Sequence, residues 1–331
     1  MRRGCMLPNW SFFKRSLCFL IFFQIASTLY VQDAVFGQGS GEARQQTMCE
    51  QPVQASGEAS VQEAGHCKDS FQDSNKTPDV PRPAEAQDIL ADKTTIITEE
   101  ELNELTMARL LDESNLYKYL AMNIEFFPQH KQARWVGYFI SRERLEVEPF
   151  KRKGIAFVSD GQIKGGSACD SDYRKSGYDR GHLAPARDMA FSKETLTQSF
   201  LFSNISPQKP KFNRGKWAEL ENYAREQAMK RDVIVVITGP IFSDKISESI
   251  GRNKVSVPHA FFKALLFYSK ERVEAIGFVM PNDKLKEELE TYACSVDYME
   301  EIANIDVFPA LSDEVEEASE ASVNWDFWFG D

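Results

Sequence analysis

The chain has 331 residues, of which 42% are hydrophobic, 12% aromatic and 27% charged. This composition excludes wholesale disorder, a collagen-like repeat and a mucin-like stalk, and it supplies enough apolar residues for a sizeable core. The net charge of −11 argues against a polyanionic partner for the chain as a whole. The charge is unevenly distributed, however. Residues 131–260 carry 23 basic and 15 acidic side chains, so a basic central block lies between acidic flanks.

The first 37 residues have the features of an export signal. Arg2, Arg3, Lys14 and Arg15 precede an apolar stretch at 17–31, with no acidic side chain among them. That stretch is shorter than the roughly 20 residues that a comfortable membrane span needs. We therefore expect a cleaved signal, a secreted or periplasmic location and no stable membrane association. An uncleaved membrane anchor and a mitochondrial presequence are the alternatives.

Residues 38–93 predict a disordered linker, because they are rich in Gln, Ser, Gly, Glu, Ala and Pro and nearly lack aromatic residues. Four cysteines follow the presumed signal, and an oxidising compartment would allow disulfides. Cys49 and Cys67 could form a local bridge, whereas Cys169 and Cys294 could equally be buried thiols. The connectivity stays open. No CxxC pair is present, which disfavours a cysteine zinc site.

Residues 94–310 predict one α+β domain, followed by an acidic and aromatic tail at 311–331. Thr98 and Glu101 match a capping box and predict a helix that continues to Leu111. Runs rich in β-branched and aromatic residues predict strands at 135–140, 155–158, 233–238, 261–268 and 275–280. Further helices are predicted at 116–126, 217–230, 287–294 and 295–302. The tail is expected to be disordered, with docking onto the domain as the alternative.

The candidate catalytic residues lie in two segments. Among four histidines, His182 stands out because Asp179, Arg180 and the flexible Gly181 directly precede it. The other three, His66, His130 and His259, lack acidic or cysteine neighbours at ligand spacing or enter an apolar strand, and His259 is interpreted as structural.

The second segment is a predicted helix with a functional face. Asn213 lies just before the helix, and Trp217, Glu221 and Arg225 follow at steps of four, so these positions form a stripe along one helix face. Taken separately, each segment has an ordinary explanation: a turn for the first, and a solvated helix with a routine Glu221–Arg225 pair for the second.

Taken together, four motifs resemble the DNA/RNA non-specific endonucleases. They are Asp179-Arg-Gly-His182, Asn204-Ile-Ser-Pro-Gln208, Asn213-Arg-Gly-Lys-Trp217 and Leu220-Glu221. The resemblance runs from about residue 135 to 308. It implies an α+β fold of the ββα-metal (His-Me finger) type, in which a central antiparallel sheet is flanked by helices.

The resemblance also implies roles at the reacting centre. His182 corresponds to the general base, and Asn213 to the one direct protein ligand of a divalent ion, Mg²⁺ or Mn²⁺. Asn204 corresponds to a residue that positions the histidine, and Glu221 to the carboxylate that orients the ion's water shell. These groups suit phosphodiester hydrolysis, because a histidine near pH 7 is largely neutral yet basic and a hard cation neutralises developing charge.

Arginines are implied at the substrate phosphate. Arg180 and Arg225 match two of them, while a third, upstream arginine could be Arg152 or Arg174. Other basic residues could line a track for the nucleic-acid backbone: Lys151, Arg152, Lys153, Lys209, Lys211, Arg214 and Lys216.

The predicted function is a metal-dependent endonuclease that binds DNA and RNA through their phosphates, without base specificity. Two alternatives remain: a non-catalytic nucleic-acid-binding module, and a metal-dependent phosphodiesterase for small phosphoesters. The preference between DNA and RNA and the formation of a homodimer are left open.

Overall fold

The computed structural model describes residues 97–243 and 248–330. The predicted signal, the linker, His66 and the proposed Cys49–Cys67 bridge therefore lie outside the described residues. Within them, no helix combines the length and apolar character needed to cross a membrane.

The described residues form an α+β arrangement around one long antiparallel sheet. The strands are β1 (Leu116–Lys118), β2 (Asn123–Phe127), β3 (Gln132–Ser141), β4 (Asp179–His182), β5 (Ile205–Gln208), β6 (Val233–Ile241), β7 (Ser249–Ile250), β8 (Val255–Ser256), β9 (Ala260–Tyr268), β10 (Val273–Pro281) and β11 (Ala293–Cys294). The helices are α1 (Glu99–Leu105), α2 (Arg142–Glu146), α3 (Asp170–Tyr173), α4 (Lys193–Ser199), α5 (Pro210–Asn213), α6 (Lys216–Arg231), α7 (Val296–Ala303), α8 (Asp313–Glu320) and α9 (Trp325–Phe329).

The main sheet has seven strands in the order β1-β2-β3-β6-β9-β10-β11, each paired antiparallel with its neighbour. Its central strands are buried on both faces, which agrees with their nearly continuous apolar sequence. Helix α6 packs on this sheet through Trp217, Leu220, Ala224 and Ala228.

A smaller two-stranded sheet, β4 with β5, leads directly into helices α5 and α6. The strands are antiparallel, with Asp179 opposite Gln208 and His182 opposite Ile205. This succession of two strands and a helix matches the ββα arrangement that the resemblance implies.

Several predicted elements are confirmed with modest shifts of their ends. The capping box of Thr98 and Glu101 is formed at the start of α1. The predicted strands at 135–140, 233–238, 261–268 and 275–280 all lie within observed strands, and the predicted helix at 217–230 lies within α6. The helix predicted at 295–302 corresponds to α7.

Other predictions are wrong, and tertiary pairing explains most of them. The first helix ends at Leu105 rather than Leu111, because the chain then forms a bridge between Ala108 and Val307. The helix predicted at 116–126 is instead the β1–β2 pair. Residues 155–158 form only a single bridge, from Val158 to Leu201, and residues 287–294 form a short 3-10 turn and strand β11.

The acidic tail is ordered rather than disordered. Residues 313–329 contain helices α8 and α9, and Trp328 in α9 is 1% exposed. Tyr223 Oη of α6 donates a hydrogen bond to the Trp328 carbonyl at 2.6 Å. Aromatic burial therefore outweighs the acidic composition on which the expectation of disorder was based.

Candidate active site

His182 ends strand β4 and lies half-buried beside two aromatic rings. Its ring centroid is 5.4 Å from that of Phe157 and 5.0 Å from that of Phe200. Its Nε2 atom is buried and has no hydrogen-bond partner among the described residues. Burial, reinforced by the charge of Arg152, lowers the pKa of His182 to about 3. The imidazole is therefore neutral at physiological pH, and one ring nitrogen has a lone pair that can accept a proton.

Asn204 holds the backbone next to His182. Its Oδ1 accepts a hydrogen bond from the Ala184 amide at 2.9 Å, and its Nδ2 donates to the Ala184 and Ser199 carbonyls at 3.0 and 2.9 Å. The side chain is completely buried. Its hydrogen-bonding groups are thus committed to the segment that follows the histidine, which agrees with a positioning role and leaves no group for a substrate.

Asn213 is the last residue of α5, and its side chain is oriented by Asp179. Asn213 Nδ2 donates to Asp179 Oδ2 at 3.0 Å, and the same carboxylate accepts two hydrogen bonds from Arg214 at 2.8 and 2.7 Å. Because the amide nitrogen is engaged, Asn213 Oδ1 is left as the acceptor. An amide oxygen held in this way is a suitable ligand for a hard cation.

Glu221 lies on α6, next to buried charges. Arg214 and Gly215 separate this helix from α5, so Asn213 ends one helix and Glu221 lies on the next. Burial raises the pKa of Glu221 to about 7, against the opposing effect of the Lys263 ammonium. Arg225, one turn later, donates to Asp188 Oδ1 at 2.7 Å and to Asn222 Oδ1 at 2.5 Å. The guanidinium that the resemblance places at a phosphate is therefore anchored by a buried carboxylate.

Sequence reasoning assigned no role to Asp188 or Lys263, although both lie beneath the site. Asp188 is 5% exposed, and burial raises its pKa. Lys263 is fully buried on β9, with its Nζ 4.7 Å from the centroid of the Trp217 ring, and burial lowers its pKa to about 8. A lone lysine inside the apolar run 260–268 was the available signal, because a buried cation needs a nearby anion.

Arg180 points to the same region from β4. Its Nη2 is 2.6 Å from Asp170 Oδ1, and its Nε is buried and makes no hydrogen bond with any described residue. The guanidinium lies 5.7 Å from the Phe157 ring centroid. One nitrogen of a positioned cation therefore remains available for a bound anion.

The structure separates the two candidates for the upstream arginine. Arg152 lines the cavity that contains His182, with its guanidinium 5.6 Å from the Phe200 ring centroid. Arg174 has a side chain that is 71% exposed, pairs with Asp170 and does not line this cavity. The geometry favours Arg152.

These residues surround one cavity of about 270 Å³. Its lining is Arg152, Phe157, Arg180, His182, Pro185, Ala186, Arg187, Asn213, Glu221 and Arg225. The cavity therefore combines an imidazole, a carboxamide, a carboxylate and four guanidinium groups. Asn204 lies behind it, as a support.

The remaining candidates lie elsewhere. His130 stacks on Phe242, with its Nδ1 3.0 Å from Ser256 Oγ. The half-buried His259 directly precedes strand β9 and does not line the cavity. Lys209, Arg214 and Lys216, three members of the predicted basic track, form ion pairs with Asp283, Asp179 and Glu219, respectively. The Cys169 thiol contacts Ser171 and Asp172 rather than another sulfur.

Comparison with known families decides the assignment. Residues 108–314 match the family described as DNA/RNA non-specific endonuclease, which is more than half of the chain. The chain belongs to this family. The resemblance deduced from the four motifs is confirmed, and so is the α+β fold class of the ββα-metal type.

Individual proteins named as nucleases align with more than half of this chain. Mitochondrial nuclease EXOG of Danio rerio is 33% identical over 197 residues, which cover 55% of this chain and 57% of that protein. Human mitochondrial endonuclease G is 31% identical over 196 residues, which cover 56% of this chain and 66% of that protein. Mitochondrial endonuclease G of Caenorhabditis elegans is 32% identical over 213 residues, which cover 60% of this chain and 69% of that protein.

A solved structure shares the fold. The crystal structure of the EndoG/EndoGI complex, described as showing the mechanism of EndoG inhibition, superposes with a TM-score of 0.57 at 25% identity. The superposition covers 61% of this chain and 88% of that chain. This chain spans between 57% and 69% of the length of the three family relatives above.

Proposed function

We propose that this chain is a metal-dependent endonuclease that hydrolyses phosphodiester bonds in DNA and RNA without sequence specificity. The observation that carries the proposal is the cavity of about 270 Å³ in which His182, Asn213, Glu221 and four arginines meet. A phosphodiester is a monoanion attacked by water, so it needs a base, compensating positive charge and help for the leaving group. The chain also belongs to the DNA/RNA non-specific endonuclease family, and its three relatives described above are all named as nucleases. Both findings support the same reaction.

The donor set fits a hydrated divalent cation, Mg²⁺ or Mn²⁺. Asn213 presents an amide oxygen whose partner nitrogen is fixed by Asp179, and Glu221 supplies a carboxylate that lines the same cavity. Mg²⁺ keeps several waters and does not require a cage of protein ligands. When bound, such an ion supplies charge neutralisation at the phosphate and the leaving oxygen. In this arrangement Asn213 would hold the ion and Glu221 would orient its hydration.

His182 is suited to accept the proton of the attacking water. Its imidazole is neutral in the free protein, because burial and Arg152 oppose protonation. A phosphate that binds beside Arg152 offsets that arginine's charge and stabilises the imidazolium, which raises the basicity of His182 when substrate is present. Asn204 holds the adjacent backbone, so the ring is presented in one position.

The arginines account for binding without base specificity. Arg152 and Arg187 line the cavity and form no ion pair within the described residues, whereas Arg180 and Arg225 are aimed by Asp170 and Asp188. Guanidinium groups recognise phosphate oxygens, which every nucleotide of DNA and RNA carries. Contacts of this kind weaken as salt rises.

The compartment and the assembly are part of the proposal. The relatives above are named as mitochondrial proteins, which favours the mitochondrial alternative over the secreted or periplasmic location that the amino-terminal segment predicts. A homodimer stays a prediction.

The direct test uses the purified full chain with supercoiled plasmid and with RNA, with and without EDTA. We expect cleavage of both polymers, its loss in EDTA and its recovery on addition of Mg²⁺ or Mn²⁺. His182→Ala should reduce the cleavage rate by roughly 100-fold or more, the usual contribution of general-base catalysis, while retention of DNA stays largely intact. His130→Ala, which removes a histidine outside the cavity, is the matched control and should keep its activity.

The same assay separates the alternatives. A binding module would retain DNA and show no cleavage that depends on His182. A phosphodiesterase for small substrates would hydrolyse a chromogenic diester at least as efficiently as plasmid. Either result would refute the endonuclease assignment.

A further inference from the structure

A cluster of carboxylates lies on elements that contribute no residue to the His182 cavity. Asp297 and Glu300 lie on α7, and Glu320 ends α8. One oxygen from each of the three lies within 4.8 Å of the other two. The cluster thus joins the helix that follows the main sheet to the acidic segment near the end of the chain.

The inner member of the cluster is buried and has an unsatisfied atom. Glu320 is 1% exposed, and its Oε1 is buried without a hydrogen-bond partner among the described residues. The nearby Asp306 also has a buried, unpartnered Oδ1. A buried charged oxygen without a partner is costly, so the site requires either a proton or a cation.

The charges around the cluster favour a cation. Four further carboxylates, those of Asp297, Glu300, Asp306 and Glu316, lie close enough to Glu320 to repel its charge. Arg109 lies near Glu316 and forms an ion pair with Asp306 at 3.0 Å. Its side chain is 73% exposed, so it compensates little of the buried negative charge. A single proton on Glu320 would neutralise one of five carboxylates.

We propose that Asp297, Glu300 and Glu320 bind a divalent cation of the calcium class, at a site separate from the active site. Ca²⁺ accepts six to eight oxygen ligands at 2.3–2.6 Å in flexible geometry, so two of its ligands can lie about 5 Å apart. Mg²⁺ requires near-ideal octahedral geometry at 2.0–2.1 Å and gives up its waters reluctantly, so three carboxylates from two helices suit it less well. Asp297 is exposed and provides the entrance, while Glu320 forms the floor.

The bound ion would fasten α8 to α7. Glu300 already accepts a hydrogen bond from the Val307 amide at 2.6 Å, which fixes the chain between the two helices. An ion that binds only the folded protein raises the free energy of unfolding. The increase grows with the logarithm of the ion concentration once that concentration exceeds Kd. The site is therefore structural and independent of the proposed nuclease activity.

The test is calcium titration of the full chain carrying Asn213→Ala, so that the active-site ligand is absent. Calorimetry on EDTA-stripped protein should show one Ca²⁺ per chain with a dissociation constant between micromolar and millimolar. Saturating Ca²⁺ should raise Tm by several degrees. Adding Glu320→Gln should weaken binding at least tenfold and remove the shift in Tm, whereas Glu317→Gln, an exposed neighbour on α8, should change neither.

The behaviour without calcium keeps the test independent of folding defects. In EDTA, Glu320→Gln should melt at the same temperature as its parent or higher, because the substitution removes a buried, repelled carboxylate. Asp297→Asn at the exposed entrance provides a second, milder variant that should also weaken Ca²⁺ binding. The proposal is overturned if no calcium-dependent heat appears, if Glu320→Gln and Glu317→Gln bind alike, or if Mg²⁺ binds as tightly as Ca²⁺.

Discussion

At the scale of single residues, the neutrality of His182 determines how the proposed base works. Two phenylalanine rings and a neighbouring arginine remove the imidazolium's hydration and oppose its charge. A base with a low pKa in the free protein is unprotonated near neutral pH, and a bound anion would raise that pKa. The site would thus couple basicity to the presence of a phosphate.

This neutrality can be observed directly in the free protein. We expect the ring resonances of His182, assigned by comparison with His182→Ala, to show no titration between pH 5 and 8. Because the folded pKa lies below the unfolded value of about 6.5, the unfolded chain binds the extra proton. This group therefore reduces stability progressively as pH falls from about 6.5 towards 3. Proton NMR across this range is the measurement, and a midpoint near 6.5 would contradict the assignment.

Arg152 and Arg174 provide a matched pair for testing phosphate contact. Arg152→Gln removes a guanidinium from the cavity and should lower kcat/KM for plasmid roughly tenfold or more, as loss of a charged hydrogen bond does. It should also reduce the slope of binding against salt concentration. Arg174→Gln, whose side chain is exposed outside the cavity, should have little effect on either quantity. Equal losses from both substitutions would mean that neither arginine has a specific role.

At the scale of elements, the pairing of β4 with β5 brings His182 towards helices α5 and α6, which carry Asn213 and Glu221, respectively. Gly181 is essential to this pairing because a Cβ there would lie 2.1 Å from Gln208 Oε1 and 2.5 Å from its Cγ. Gln208 is completely buried opposite Asp179 and cannot swing aside freely. The glycine in the motif is thus required by close packing.

Gly181→Ala should therefore destabilise the protein and displace the base. Overpacking of a rigid site costs about 1–3 kcal/mol, so we expect a measurable loss of unfolding free energy in denaturant titration. The loss of activity should exceed the loss of folded protein, since β4 carries His182 itself. Gly161→Ala is the control, because a Cβ at that position would have no atom within 4 Å and its φ is not positive. Wild-type stability in Gly181→Ala would show that β5 adjusts.

Sequence predicted the long central strands and α6 well because their local preference and their tertiary environment agree. Val233–Ile241 is rich in β-branched residues and is buried on both faces, while α6 lacks Gly and Pro. The region 116–126 was predicted incorrectly because Leu, Ala and Met favour a helix locally, whereas pairing of β2 with β1 and β3 imposes a strand. No local signal revealed that partner.

Only the part of the candidate site that lies in local sequence motifs could be predicted. The motif residues His182, Asn213 and Glu221 were identifiable from spacing and resemblance, and the structure places them around one cavity. Asp188 and Lys263 lie far apart in sequence, and only the folding of β9 beneath α6 brings their charges next to Glu221. Non-local charge pairs of this kind have no periodic signature in a single sequence.

At the scale of the whole molecule, the carboxyl-terminal segment completes the domain. Helix α9 covers α6, where the Tyr223 hydroxyl binds the Trp328 carbonyl and Arg231 donates to the Phe327 carbonyl. Asn324 adds a hydrogen bond to Glu274 on β10 at 2.9 Å. The helix that presents Glu221 and Arg225 to the cavity therefore depends on the last residues of the chain for its outer packing.

Loss of the packing between α9 and α6 should lower the stability of the domain, although no residue of the cavity is changed. Trp328→Ala deletes a buried side chain, for which losses of about 3–5 kcal/mol are typical, and we expect Tm to fall by roughly 6–20 °C. Differential scanning calorimetry measures this directly. Phe150→Ala, at an exposed large side chain, is the control and should leave Tm nearly unchanged. A small shift for Trp328→Ala would indicate that α9 contributes little to the domain.

The contacts between α9 and α6 also determine how α6 can open locally. Tyr223 and Arg231 of α6 donate hydrogen bonds to the Trp328 and Phe327 carbonyls, so detachment of α9 would leave both donors and the indole of Trp328 in contact with water. We therefore expect the α6 amides around Tyr223 and Ala228 to exchange with solvent only through openings that also release α9.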